Sequence, residues 1–367
     1  MHGPAPMIMF RLGSVQGGKV GRPHQVSLTA KAATLNSDHG RPWLLRYSEP
    51  ARRNPRGPMR QIAFFFLVLF VSPQLALGQA GRVVHRLPGD TLLASYRIYE
   101  PPGAPVGVLV LIPGSGGSDD AFNPGGPTPS TLPRRVPVVT IVPTQVQWLN
   151  DRWLEQLDQV VAETLTTYRL PHDRVVVGGF SGGGTAAVRY AEFTAAGRSR
   201  ADVKVQGVFA VDAPLDLARL WRGETLAIER GANAGYVAEA KMVLAELAEV
   251  LGGSPEQRAG RYLKVSPVSA FAKGGGQAVL LPDMAVRLYT EPDVGWWMAN
   301  RQVDYYSMNA LDAAALVTQL QLMGHGQAQL ITTQGRGFRP GGIRHPHSWS
   351  IVDEEDLAGW IRARVSG

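Results

Sequence analysis

The stretch Val175-Val176-Val177-Gly178-Gly179-Phe180-Ser181-Gly182-Gly183-Gly184 joins a β-branched run to a glycine-rich turn, and residues 185–191 after it have helical character. The pattern predicts a strand, a sharp turn and a helix, with Ser181 in the turn. In a Gly-x-Ser-x-Gly turn the serine adopts a strained conformation that exposes its hydroxyl, and the flanking glycines let strand and helix pass closely. The stretch therefore predicts that Ser181 is a nucleophile.

Strands and helices alternate along the rest of the chain. The segments 106–112 and 205–212 are largely apolar, as expected of strands that are buried on both faces of a parallel sheet. Apolar residues at helical spacing predict a helix over 151–168. The sequence also predicts strands at 136–142, 285–290 and 328–332, and helices at 308–323 and 353–365. This alternation indicates an α/β fold with a mostly parallel sheet.

The sheet is predicted to begin with an antiparallel hairpin, because 82–87 and 91–99 flank a Pro88-Gly89-Asp90 turn. Residues 213–280 are polar and helical in character, and they form an insertion between the sixth and the seventh predicted strand. This insertion is either a lid over a site or packing bulk. The folded domain is predicted to span residues 81–367.

The formal net charge of +7 belongs to the N-terminal part of the chain. Residues 1–58 contain nine Lys and Arg against two acidic residues, whereas residues 79–367 contain 27 against 28. Since the folded part is nearly neutral, no nucleic acid is expected as a partner. Residues 1–58 are rich in Arg, Pro and Gly and show no periodicity, which predicts a disordered leader or upstream sequence translated in error.

Residues 59–80 have the pattern of a secretory signal peptide. Arg60 precedes the apolar run 62–71, and small residues stand at the predicted cleavage points after Gly78 or Ala80. The alternative is a transmembrane anchor, but the apolar run is short and Pro73 breaks it. We therefore expect an exported protein, periplasmic or secreted, without a stable membrane span in its mature form. The absence of cysteine excludes disulfides, thiol catalysis and zinc–thiolate sites.

A catalytic serine needs a base, an acid that orients the base, and donors that hold the oxyanion. In sheets of this kind the reactive groups lie at the carboxyl ends of the strands. His345 and His347 follow the last strand, whereas His172 and His325 belong to the opposite end of the sheet. We expect His347 to be the base because it follows Pro346 and lies closer to the last helix, with His345 as the alternative.

Three carboxylates are candidates for the acid. Glu291 and Asp293 follow the strand at 285–290, and Asp212 ends the strand at 205–212. We favour Asp293, because the loop after its strand should face the histidine loop of the neighbouring strand. Glu291 and Asp212 remain alternatives, and each of the three could instead be a turn or cap residue.

Two backbone N–H groups are candidates for the oxyanion hole. One belongs to Gly182, directly after the nucleophile, and the other to Ser115 in the loop Pro113-Gly114-Ser115-Gly116-Gly117. The alternative for this loop is phosphate binding. It lacks the Gly-Lys-Ser/Thr ending of a P-loop and the spacing of a dinucleotide fingerprint.

Together these motifs resemble the α/β-hydrolase superfamily over roughly residues 82–365. The resemblance rests on Gly179-Phe180-Ser181-Gly182-Gly183, on the loop at 113–117, and on Asp293 and His347, in the family's order Ser, Asp, His.

A further stretch, Tyr-Leu-Lys-Val-Ser-Pro at 262–267, is similar to a segment of dienelactone-hydrolase-like and prolyl-oligopeptidase-like members. The chain departs from the family pattern in two places. Pro113 stands where many relatives have His, and the loop from Thr333 to Arg344 is long.

These residues and the resemblance imply an α/β-hydrolase fold and an exported serine hydrolase. The reaction we favour is the hydrolysis of carboxylic esters through an acyl-enzyme at Ser181. No metal or cofactor is needed for this chemistry, and the expected partner is a small-molecule ester. Two alternatives remain open, a peptidase of the prolyl-oligopeptidase type and a catalytically silent scaffold used for binding.

Overall fold

The structure is a computed structural model that describes residues 81–85, 92–117, 121–122, 126, 128–281 and 284–366. The predicted leader at 1–58, the predicted signal peptide at 59–80 and the turn at 88–90 lie outside the described residues. Within the described ranges, no helix is both long enough and apolar enough to cross a membrane.

The centre of the described part of the chain is an eight-stranded sheet. Its strands are β1 (Arg82–His85), β2 (Ser95–Tyr99), β3 (Val108–Ile112), β4 (Val139–Pro143), β5 (Val175–Phe180), β6 (Val205–Val211), β7 (Ala285–Thr290) and β8 (Ala328–Thr332). Their order in space is β1-β2-β4-β3-β5-β6-β7-β8. β2 pairs antiparallel with both β1 and β4, and all other neighbours are parallel. The predicted antiparallel start and the mostly parallel sheet are confirmed.

The helices follow the strands in the predicted alternation. They are α1 (Leu132–Arg135), α2 (Asp151–Tyr168), α3 (Gly182–Ala195), α4 (Leu217–Glu229), α5 (Ala234–Leu251), α6 (Pro255–Val265), α7 (Val294–Arg301), α8 (Ala310–Leu322) and α9 (Glu354–Val365). Short 3-10 segments occupy Lys273–Leu280, Tyr305–Ser307, Pro340–Gly342 and Trp349–Ile351. A small antiparallel ribbon, β9 (Phe338–Arg339) and β10 (Ile343–Arg344), lies in the loop between β8 and α9.

Side-chain alternation along the strands divides the core into two layers. In β3, Val108, Val110 and Ile112 pack in the layer that contains α2, α3 and α8. Leu109 and Leu111 pack in the opposite layer, with α1 and α9. All five residues are fully buried, which is why β3 has a continuous apolar sequence.

The insertion at 213–280 is helical, as predicted, and lies between β6 and β7. Asp312 of α8 fixes its first residues. One Asp312 oxygen accepts from the backbone N–H groups of Leu215 and Asp216 at 2.9 and 3.0 Å, and both oxygens bind the Arg219 guanidinium. A buried carboxylate with this many donors holds the start of the insertion against the main domain.

Candidate active site

Ser181 occupies the turn between β5 and α3. Its φ of 55° and ψ of −130° lie in a region that costs a residue with a side chain about 1–3 kcal/mol. Its N–H donates to the Val211 carbonyl at 2.9 Å and ties the turn to β6. The turn is tight, because a Cβ on Gly183 would lie 2.0 Å from the Pro113 carbonyl oxygen. The strained turn expected from the sequence is therefore present.

Ser181, His347 and Asp212 form one chain of hydrogen bonds. Ser181 Oγ lies 3.1 Å from His347 Nε2, and His347 Nδ1 lies 2.6 Å from Asp212 Oδ2. A carboxylate accepts, so the proton belongs on Nδ1, and Nε2 is left to accept from the serine hydroxyl. His347 comes from the loop between β8 and α9, as expected for the base. The ring of Phe180 packs against it, with 4.8 Å between the ring centroids.

Several hydrogen bonds orient Asp212 at the carboxyl end of β6. Its N–H donates to the Tyr289 carbonyl at 2.8 Å, and the Thr290 hydroxyl donates to its Oδ1 at 3.1 Å. The side-chain amide of Asn309 donates to its carbonyl oxygen at 2.8 Å. Asp212 has a positive φ of 45°, a conformation that Asp tolerates better than most residues. The carboxylate is therefore held toward His347.

The structure does not bring Asp293, the favoured acid, to His347. Asp293 caps α7, because its Oδ1 accepts from the Trp296 N–H at 2.9 Å, and its Oδ2 accepts from Arg344 at 2.7 Å. The expectation for Asp293 is corrected to Asp212. The physical reason is the strand order: β6, which ends next to Asp212, lies directly beside the strand that carries Ser181.

Glu291, the other alternative acid, holds the long loop that precedes the histidine. It accepts from the Thr333 hydroxyl at 2.8 Å, from the Arg336 N–H at 2.9 Å and from the Gly337 N–H at 3.2 Å. Arg344 adds an ion pair at 2.5 Å. Because this carboxylate is buried and its oxygens are occupied, its role is to order the loop rather than to orient the base.

His345, the alternative base, is buried away from Ser181. Its Nε2 accepts from Arg301 Nη2 at 3.0 Å, and its ring packs against Trp296 and Trp297 with centroid distances of 4.6 and 5.7 Å. Burial lowers the pKa of His345 to about 3, and the nearby charge of Arg339 adds to this effect. His345 is therefore neutral at neutral pH and supports the histidine loop through packing.

We expect His345 to make the protein less stable in acid. Its pKa is about 3 in the folded protein and about 6.5 in the unfolded chain, so between these values the unfolded chain binds more protons. The free energy of unfolding should fall as the pH is lowered from about 6.5 towards 3, by up to ~1.4 kcal/mol per pH unit from this residue. Denaturant unfolding at a series of pH values measures this effect. The free energy of unfolding should change less per pH unit in His345→Gln than in the wild type.

The matched control for this prediction is His172→Gln, which replaces an exposed histidine. It should keep the pH dependence of the wild type. If His345→Gln also keeps it, His345 is not the group that couples acid to unfolding.

Ser115 and Gly182, the candidate oxyanion donors, are neighbours beside Ser181. A Cβ on Gly182 would lie 2.2 Å from Ser115 Oγ, and all three residues line one pocket. Gly182 is the first residue of α3, so its N–H has no acceptor within the helix. The Ser115 loop is a turn closed by the Gly117 N–H, which donates to the Gly114 carbonyl at 2.8 Å. The two predicted donor residues thus lie close to each other and line the same pocket as Ser181.

Helices α4 and α5 of the insertion, together with α7 after β7, line the pocket in front of Ser181. The wall consists of side chains from α4, α5 and α7, namely Leu220, Glu224, Tyr236, Glu239, Val243 and Trp297. A second cleft opens on the other side of His347, lined among others by Phe180, Phe338, Arg339, Pro340 and Trp349. The five wall residues of α4 and α5 were not identified from the sequence, because helical periodicity does not reveal which part of the protein a polar helix packs against. Among the described residues, no group of three or more His, Asp or Glu is placed to hold a metal ion.

Two solved structures are similar to this chain over most of its length. Carboxyl esterase 2 from the mycorrhizal fungus Tuber melanosporum has a TM-score of 0.51 at 14% identity, over 80% of this chain and 89% of its own. The HSL homologue EstE7 from a metagenome library has a TM-score of 0.51 at 14% identity, over 79% and 88%. No protein-family model and no curated protein matches the sequence. The likeness shows the fold, which is the predicted α/β-hydrolase fold.

Proposed function

We propose that the protein is an exported serine hydrolase that cleaves carboxylic esters. The observation that carries this proposal is the hydrogen-bonded chain from Asp212 through His347 to Ser181. It combines a nucleophile, a base and an orienting acid, which are recognised by geometry and not by position in the sequence. A strained turn that exposes the serine and a pocket in front of it add to this support.

In the first half of the reaction, Ser181 Oγ attacks the ester carbonyl carbon while His347 Nε2 takes the hydroxyl proton. Asp212 stabilises the imidazolium that forms, because its carboxylate accepts from Nδ1. The N–H groups of Gly182 and Ser115 hold the oxyanion of the tetrahedral intermediate. The intermediate collapses, the alcohol leaves with the proton from His347, and the acyl group stays on Ser181.

In the second half, His347 removes a proton from water, and the resulting hydroxide attacks the acyl carbon. The new tetrahedral intermediate breaks its bond to Ser181 Oγ, which regains its proton from His347. The carboxylic acid is released and the free serine is restored. Every proton in this cycle passes through Nε2 of His347. The contact between Asp212 and Nδ1 keeps Nε2 free to accept it.

We propose esters rather than other acyl compounds as substrates, because the similar solved structures include a carboxyl esterase. A folded protein treated with a fluorophosphonate should carry one adduct, on Ser181, and should hydrolyse p-nitrophenyl esters. Ser181→Ala should do neither. A folded wild-type protein without the adduct would instead indicate a silent binding scaffold, and faster turnover of peptides than of esters would indicate a peptidase.

Export is the second part of the proposal and rests on the signal-like sequence at 59–80. Expression of the full chain in a bacterial host should yield a mature protein outside the cytoplasm. Its N-terminal sequence should begin after Gly78 or Ala80. An uncleaved N-terminus in the cytoplasmic fraction would overturn this part alone.

A further inference from the structure

Glu224 is a buried carboxylate in the pocket wall that the proposed reaction does not use. It is only 7% exposed and lines the same pocket as Ser181. Its Oε1 accepts from the Tyr236 hydroxyl at 3.2 Å, and this is the one hydrogen bond to Glu224 among the described residues. The described residues place no donor on its second oxygen, so that oxygen is available to a ligand in the pocket.

No Lys or Arg in the described part of the chain forms an ion pair with Glu224, although the charge of Arg219 lowers the pKa of Glu224. The pocket lining contains no Lys or Arg. Arg219 acts on Glu224 electrostatically, but its guanidinium is already bound by both oxygens of Asp312. Glu239, the other wall carboxylate, lies 3.7 Å from Arg301 at the exposed side of the pocket. Glu224 therefore lacks an ion-pair partner in the described part of the chain, and a cationic ligand would supply one.

Three aromatic side chains form part of the remaining wall. Tyr236 and Trp297 meet edge to face with 6.4 Å between their centroids, and Trp148 lies on the side of Ser115. Aromatic faces attract organic cations, and the attraction grows when the cation is removed from water. An acidic pocket with aromatic walls suits an ammonium group better than an anion or a neutral hydrocarbon.

The position of Ser181 indicates which part of an ester enters this pocket. His347, which gives its proton to the leaving alcohol, lines both cavities, whereas Ser181 lines only the first. The acyl group is bonded to Ser181 during the reaction, so we assign the alcohol to the second cleft. The pocket that contains Ser181, Gly182 and Glu224 is left for the acyl group.

We infer that the pocket selects esters whose acyl group ends in an ammonium group, with Glu224 as its counter-ion. The inference rests on the proposed function and names the substrate class of the same site. Glu224 contacts the substrate but takes no part in bond formation, so it determines specificity and not the chemistry of attack.

Burial raises the pKa of Glu224 to about 7 in the free protein. The carboxylate is then partly protonated at neutral pH, and only the ionised form attracts an ammonium group. The preference for a cationic acyl group should therefore strengthen as the pH rises through about 7. Replacing Glu224 with Gln should remove this pH dependence and leave that of the triad.

The test uses pairs of p-nitrophenyl esters whose acids have equal length and branching. One acid of each pair ends in a trimethylammonium group and the other in a tert-butyl group, over a series of chain lengths. The wild type should prefer the ammonium ester in at least one pair. Glu224→Gln should lower kcat/KM for that ester by roughly 10- to 100-fold, because the charge that attracts the ammonium group is removed, and should leave the tert-butyl ester nearly unchanged.

Glu249→Gln is the matched control, because it removes the same charge from an exposed position on α5 outside the pocket. It should behave as the wild type. Equal hydrolysis of both esters, or an equal loss for both in Glu224→Gln, would overturn the inference while the proposed function stands.

A binding measurement separates the two proposals if no ester is hydrolysed. Calorimetric titration of Ser181→Ala protein with the ammonium ester should give binding that Glu224→Gln weakens. If the wild type binds the ester in this way but does not hydrolyse it, the proposed reaction is refuted. The inference that Glu224 binds an ammonium group in the pocket is then supported. Absence of binding would overturn the inference about Glu224.

Discussion

Asp212→Asn is expected to lower kcat for p-nitrophenyl esters by about four orders of magnitude, while the protein remains folded. The carboxylate accepts from His347 Nδ1 at 2.6 Å and so keeps Nε2 free to accept from Ser181. An amide in its place offers an N–H to Nδ1 and favours the tautomer with the proton on Nε2. That tautomer cannot take the proton of Ser181. Steady-state kinetics together with the circular dichroism of the variant measure this effect.

Asp293→Asn is the matched control for this prediction. Asp293 caps α7 and binds Arg344, and since Asn keeps the cap and removes only the ion pair, stability should fall by no more than about 1 kcal/mol and kcat should change by only a few-fold. If Asp293→Asn loses activity by orders of magnitude and Asp212→Asn does not, the acid of the triad is Asp293 after all. The site would then have to rearrange from the geometry described above.

Much of the fold could be predicted because it depends on local patterns. Apolar residues at helical spacing predict α2 with the observed bounds, Asp151–Tyr168, and strands β7 and β8 also match their predicted ranges. The residue that ends α2 was harder to predict than the position of its end. Arg169, in a left-handed conformation, closes the helix two residues before Pro171.

The acid of the site could not be chosen from local patterns alone. Asp212 and Asp293 both follow strands, and the choice between them depends on which strand lies beside the one that carries Ser181. One local signal was available, because Asp293 precedes Val-Gly-Trp and is a good N-cap residue for a helix. That signal would have assigned Asp293 to α7 and left Asp212 and Glu291 as the candidate acids.

The pocket wall was beyond sequence analysis for a different reason. Glu224 and Tyr236 belong to α4 and α5, and their hydrogen bond joins two helices of the insertion. Polar residues on a helix usually face water, so neither residue differs in sequence from a solvated one. Their burial follows from how the insertion packs over Ser181, which is a property of the tertiary structure.

Gly183→Ala is expected to disrupt the turn that carries Ser181. The added Cβ would lie 2.0 Å from the Pro113 carbonyl oxygen and 2.4 Å from that of Ile112. Both are backbone atoms at the end of β3, so the clash can be relieved only by moving α3 away from the sheet. We expect a loss of about 3 kcal/mol or more in the free energy of unfolding, measured by denaturant titration, together with loss of esterase activity.

Two further variants make this expectation specific to the turn. Gly260→Ala adds the same methyl group in α6, where no atom lies within 4 Å, and it should leave the stability unchanged or raise it. Gly182→Ala meets a movable side chain, Ser115 Oγ at 2.2 Å, so it should fold even if Gly183→Ala does not. Because Ser115 must then shift, Gly182→Ala should lower kcat. Expressed as a free energy, this loss should be larger than the loss in the free energy of unfolding. Wild-type stability and activity in Gly183→Ala would show that the close approach of β3 and α3 is not required for the site.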